Sequence, residues 1–273
     1  MSEGYILTSY HGYTTDDKTS GEDTSISNSH VYYDSISEVS LWRSVFAEFL
    51  GLTLLVLISA GASAPWDEPN APTVFQIAIA SGLTIATLIH NFMAVSGAHV
   101  NPAVTIAFIV SRKISFLRGL LYVLFQCAGA CLGAEILKAV TPDEIYDKAN
   151  GTFGCTLLAD EVSLGQGFLL EFMITFQLLL TIFAASDEGR TDMKGSMPLT
   201  VGLSVICGVI FGLSYTGGSM NPARSFGTAV IAGCWKDHWI YWLAPILGGI
   251  VGGVMYECGF SQARLSTRRS CMA

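Results

Sequence analysis

The sequence predicts an all-α membrane protein with six transmembrane helices and two re-entrant half-helices, arranged as an inverted repeat. Three observations carry this. Hydrophobic residues make up 51% of the 273 and charged residues only 13%, where a soluble domain carries about 25% charged. Six stretches are long and apolar enough to cross a bilayer. One short stretch also occurs twice, as Ser96-Gly-Ala-His-Val-Asn-Pro-Ala-Val104 and as Thr216-Gly-Gly-Ser-Met-Asn-Pro-Ala-Arg224.

Residues 1–40 hold seven acids (Glu3, Asp16, Asp17, Glu22, Asp23, Asp34, Glu38) against one base, Lys18, and so carry −6 of the net charge of −8. This Ser-, Thr- and Tyr-rich segment has little to bury and reads as a disordered, acidic cytoplasmic tail. The first span, Leu41–Ala64, lies too far in for a cleaved signal peptide and carries one acid in the membrane, Glu48. The second, Val74–Val95, has no Asp, Glu, Lys or Arg. In the first copy of the repeated stretch, Asn101 reads as a helix cap and Pro102 as the first helical residue, where a missing N–H costs nothing. The helical run from Ala103 to Val110 rises about half of a hydrocarbon core of roughly 30 Å. The third span is Ile114–Lys138. The fourth, Leu164–Ala185, again carries one acid, Glu171, and the fifth, Met197–Thr216, carries none. Asn221, Pro222 and Ala223 open the second half-helix, which runs to Ala232, and Trp239–Phe260 is the sixth span. Residues 261–273 form a basic tail with Arg264, Arg268 and Arg269.

Residues 41–260 read as a channel domain built by duplication, with repeats at about 41–138 and 164–260. Gly82-Leu-Thr-Ile matches Gly202-Leu-Ser-Val at an offset of 120, the same offset that separates Asn101 from Asn221. Tyr122, Gly129 and Gly133 match Tyr241, Gly248 and Gly252. Three spans per repeat is an odd number, so the second copy enters the membrane upside down. Arg112, Lys113, Arg190, Lys194 and the tail arginines fall on one side if both termini are cytoplasmic, as the loop-charge rule requires. Asn150-Gly-Thr152 then becomes an outer-side glycosylation sequon. The seven cysteines show no metal-binding spacing. Cys127 and Cys131 read as packing residues. Cys155 and Cys234 fall on the outer side, where a disulfide is conceivable although no spacing rule pairs them.

The two Asn caps meet near the midplane. Irregular backbone at that depth survives only where it lines a cavity or is buried in protein. Gly97, Ala98 and His99, and likewise Gly217, Gly218 and Ser219, would present backbone carbonyls to a pore, with side-chain N–H donors from Asn101 and Asn221 at its centre. Two helix N-termini aimed at one point place positive partial charge there, which opposes cations and protons. Arg224, where the first repeat has Val104, reads as a constriction residue that donates to solute oxygen, or as a structural arginine bonded to loop carbonyls; the two readings are compatible. Glu48 and Glu171 read as braces for the N–H groups of the re-entrant loops. No nucleophile–base pair or metal cluster appears, so an enzyme, a cofactor and a nucleic-acid partner are not expected.

At these residues the chain resembles an aquaporin of the major intrinsic protein family, over about residues 40–260. The resemblance implies six tilted helices plus two half-helices per pore, a homotetramer in the cell membrane, and passive conduction without a cofactor. Ser225, Ala229 and Tyr241-Trp242 resemble the water-channel branch; glycerol facilitators usually have Asp where Ser225 stands. The outer constriction of that branch is altered: its usual Phe aligns with Ser81, its His with Val209 and its Cys with Gly218, and only Arg224 remains. The ring is therefore expected to be wider and to resemble insect entomoglyceroporins or big-brain-type channels, passing water with glycerol or urea. A strictly water-selective channel, a non-conducting junction or signalling member of the family, and a secondary transporter with a similar repeat are the alternatives.

Overall fold

A computed structural model describes residues 38–66, 71–149, 154–192 and 195–262. The acidic tail up to residue 37, Asn150, Lys194 and the tail arginines lie outside the described residues. The helices are α1 (Glu38–Gly61), α2 (Val74–Ser96), α3 (Pro102–Val110), α4 (Phe116–Val140), α5 (Asp143–Lys148), α6 (Leu164–Ala185), α7 (Met197–Thr216), α8 (Pro222–Ala232) and α9 (Ile240–Gly259). Six of them, α1, α2, α4, α6, α7 and α9, are long and apolar enough to cross a membrane. The short α3 and α8 are the half-helices, each starting on its Pro with Asn as the cap.

Local chemistry sets most helix starts. Thr73 and Ser163 each form a capping box with the Gln three residues on, Gln76 and Gln166. Ser115 Oγ accepts from Arg118 N at 3.4 Å, which starts α4 at Phe116 rather than at Ile114. At the end of α1 the chain leaves the helix at Gly61 rather than Ala64, as Ser63 N and Ala64 N turn back to the carbonyls of Ala60 and Gly61. α5, inside the loop that follows α4, has no counterpart in the apolar pattern.

The packing repeats as the sequence does. α1 lies along α4 and α6 along α9, while α2 and α7 face each other. Each half-helix lies mainly against the last span of the other repeat, α3 on α9 and α8 on α4, which interlocks the halves. The spans approach closely where side chains are absent: a Cβ at Gly129 would run into the Phe49 carbonyl of α1, and one at Gly248 into the Phe172 carbonyl of α6. Leu52, Val56, Leu179 and Val201 are fully buried, and so are Glu48, Gln126 and Glu171. Large apolar side chains such as Phe46, Phe75, Phe116 and Leu169 are exposed on the outside of the bundle, as suits a surface solvated by lipid.

At the end of the bundle where α6 and α9 finish, Lys113 Nζ meets Glu257 Oε1 at 2.7 Å and sits 5.4 Å over the Phe183 ring. Tyr256 Oη donates to Asp187 Oδ2 at 3.1 Å. Close by, the Arg190 guanidinium donates to both oxygens of Asp192, at 3.1 and 2.7 Å, which holds that exposed carboxyl below the usual aspartate range.

Candidate functional site: a cavity between two facing half-helices

Both re-entrant loops run through left-handed backbone. Ala98 (φ 49°), Val100 (φ 40°) and Met220 (φ 53°) all have positive φ, beside Gly97 (86°), Gly217 (85°) and Gly218 (57°). A β-branched residue there is a true outlier, so the loops need outside partners to persist.

The two buried carboxylates are those partners. Glu48 Oε1 accepts from His99 N at 2.9 Å and Ser96 Oγ at 2.6 Å, and its Oε2 accepts from Val100 N at 2.6 Å and Gln126 Nε2 at 2.8 Å. Glu171 repeats this with Ser219 N at 2.9 Å, Thr216 Oγ1 at 2.5 Å and Met220 N at 2.9 Å. Tyr122 Oη donates to Ser96 O at 2.9 Å and Tyr241 Oη to Thr216 O at 2.8 Å, tying down the ends of α2 and α7.

The caps face each other. Asn101 Oδ1 accepts from Ala103 N at 2.8 Å, and Asn221 Oδ1 from Ala223 N at 3.1 Å and Arg224 N at 3.3 Å. Each Oδ1 is thereby committed to its own helix, which turns the NH2 away from it. One N–H of each crosses to the other loop, from Asn101 Nδ2 to Met220 O and from Asn221 Nδ2 to Val100 O, both at 2.8 Å. An amide nitrogen carries two donors, so one N–H on each remains.

These residues wall a cavity of about 250 Å³. Asn101, Asn221, Gly97, Ala98, His99, Gly217, Gly218 and Ser219 all line it, as do Ser81, Val209 and Arg224. Among the described residues no protein donor reaches the carbonyls of Gly97, Ala98, His99, Gly217, Gly218 or Ser219. Pro102, Ala103, Pro222 and Ala223 are buried in the first turns of α3 and α8 and are not part of the wall. Glu48 and Glu171 also stand outside it, behind the loops. Leu178, Ile182, Val201 and Val205 supply apolar surface elsewhere in the wall.

Arg224 Nη1 donates to Gly154 O at 2.6 Å, and that carbonyl is the side chain's hydrogen-bond partner among the described residues. Ser81 Oγ donates to Ile77 O at 2.8 Å, which leaves its lone pairs available. A Cβ at Gly218 would lie 3.3 Å from both Leu213 N and Val209 Cα, so a side chain there would start against the backbone of α7.

Several participants carry no motif. Gln126 and Thr105 complete a buried chain: Thr105 Oγ1 gives its proton to Asn101 O at 3.0 Å and receives Gln126 Nε2 at 3.0 Å and His99 Nδ1 at 3.2 Å. With its one proton so used, the hydroxyl can only accept from His99, which fixes the Nδ1–H tautomer and leaves Nε2 an acceptor. A lone amide inside an apolar span is the signal that marks Gln126. Ser59, whose buried hydroxyl has no hydrogen-bond partner, also lines the cavity. Cys155 and Cys234 form a disulfide, with Cα atoms 6.6 Å apart.

The sequence profile of the major intrinsic protein (MIP) family matches residues 35–256. Aquaporin-4 of Homo sapiens is 44% identical over 236 residues, covering 85% of this chain and 72% of that one. The lens fiber major intrinsic protein of Lithobates pipiens is 45% identical over 218 residues, covering 80% and 81%. Among solved structures, the aquaglyceroporin from Plasmodium falciparum superposes with a TM-score of 0.70 at 24% identity, covering 80% of this chain and 96% of that one. That likeness is one of fold.

Proposed function

The chain belongs to the major intrinsic protein family, and from that premise we propose that it passively conducts water together with small neutral solutes of the size of glycerol and urea. The observation that supports the solute range is the make-up of the cavity wall, where Arg224 shares the lining with Ser81, Val209 and Gly218, which supply little bulk. In this reading the guanidinium donates to solute oxygens, the Ser81 hydroxyl, its proton already given to Ile77 O, accepts from solute O–H or N–H groups, and Val209 meets C–H groups. Asn101 and Asn221 supply N–H donors at the centre, and the carbonyls of Gly97, Ala98, His99, Gly217 and Ser219 supply acceptors along the file. Two helix N-termini and one guanidinium oppose cations and protons.

The two termini are cytoplasmic and the chain spans the cell membrane as a homotetramer. Lys113 and Arg190 gather at one end of the bundle, and the cystine of Cys155 and Cys234 suits an oxidising compartment at the other. In this orientation Asn150 is open to glycosylation. A second reading, a strictly water-selective channel, is favoured by the 44% identity to aquaporin-4. Stopped-flow light scattering on proteoliposomes separates them. After shrinkage in glycerol or urea, protein-dependent reswelling supports the wider range, and shrinkage without reswelling leaves water alone.

A further inference from the structure

Three consecutive residues fasten one loop to the second half-helix. Gly154 O accepts from Arg224 Nη1 at 2.6 Å, Cys155 is bonded to Cys234, and Thr156 Oγ1 donates to Ser225 Oγ at 2.7 Å. The ties reach both ends of α8. Arg224 and Ser225 lie in its first turn, and Cys234 follows Gly233, its C-cap. Ser225 continues inward, since its hydroxyl meets Ser219 Oγ at 2.6 Å, and Ser219 Oγ donates to Asn221 O at 3.0 Å. Gly154 itself admits no other residue easily, because its φ is +76° and a Cβ would come within 2.7 Å of Ala60 Cβ.

We infer that the Cys155–Cys234 disulfide is a positioning element of the pore, which holds the Gly154 carbonyl against Arg224 and so keeps the guanidinium at the cavity wall. Arg224 faces the cavity with one anchoring acceptor, and that acceptor is the residue next to the cystine. Without the crosslink the Gly154 segment keeps only the hydrogen bonds of Gly154 and Thr156 to α8 and lifts from it more readily. The released guanidinium, a fork of five donors, then turns to other acceptors of the same cavity wall, which the Ser81 hydroxyl and the loop residues line, and obstructs the lumen. This rests on the channel reading above.

The test uses the full chain in proteoliposomes, with tris(2-carboxyethyl)phosphine on the Cys155 side. The phosphine takes oxygen from water and becomes its oxide, and the cystine takes two protons and two electrons and becomes two thiols. Reduction is expected to lower water permeability per channel by about threefold, a coupling of ordinary size. Cys155→Ala/Cys234→Ala should match the reduced protein and ignore the phosphine. In Arg224→Val, which has no guanidinium to release, reduction should change nothing. Reduced and oxidised channels that conduct alike overturn the inference. So does an equal loss on reduction in Arg224→Val, since the cystine would then be serving the fold alone. An oxidised protein that conducts no water overturns the channel reading first, and this inference with it.

Discussion

Asn101 and Asn221 exchange hydrogen bonds across the centre of the molecule: each Nδ2 donates at 2.8 Å to the carbonyl of the residue preceding the other, Met220 and Val100. One side chain thus caps its own half-helix, fixes the opposite loop and still keeps an N–H for the cavity. Changing Asn101 to Asp keeps the cap oxygen and removes the donors. The Met220 carbonyl then lacks its partner and a negative charge enters the centre. We expect a loss of about 1–3 kcal/mol in stability, read by thermal unfolding in detergent, and a cation conductance in planar bilayers that the parent lacks.

The braces are unequal. Glu48 receives four donors and Glu171 three, the difference being Gln126. A Glu→Gln change turns an acceptor oxygen into a donor facing a backbone N–H. Each should cost at least about 3 kcal/mol, with Glu48→Gln the more damaging. Hydrogen exchange should rise first at the amides of His99 and Val100 in one variant and of Ser219 and Met220 in the other.

Tyr122→Phe and Tyr241→Phe each orphan a buried carbonyl at a helix end, Ser96 O or Thr216 O. Both should lower stability by about 1–2 kcal/mol. Because the two sites are equivalent, midpoints in a denaturant titration should shift by similar amounts.

Gly129→Ala and Gly248→Ala should each destabilise by about 1–3 kcal/mol through overpacking, since the new methyl meets the carbonyl of Phe49 or Phe172. Gly165→Ala is the control. Nothing lies within 4 Å of a Cβ there, and stabilisation by about 0.4–1 kcal/mol is expected. Thermal unfolding of the three variants side by side checks the contrast.

Much of this was visible in the chain because it is chemistry of nearest neighbours. Asn-Pro announces a cap and a first helical residue, and the structure starts α3 at Pro102 and α8 at Pro222. Glu48 and Glu171 stand out as lone acids in apolar spans, and their carboxylates receive the loop N–H groups. Helix ends drifted where the deciding group is a short polar side chain, as with Ser115 ahead of α4. What stayed illegible depends on distance. Gly154 and Arg224 are 70 residues apart, and Cys155 and Cys234 are 79 apart. No local pattern records either pairing. The short α5 is a turn and a half of mixed polarity, too brief to show a period.

If the protein is a channel, water passes through the cavity between the two Asn caps. The most direct measurement is the osmotic shrinkage rate of vesicles containing the purified chain, against protein-free vesicles of the same lipid, in an impermeant osmolyte. The prediction is shrinkage that accelerates in proportion to protein content and depends weakly on temperature. Vesicles with correctly folded protein that shrink no faster than bare lipid would contradict it.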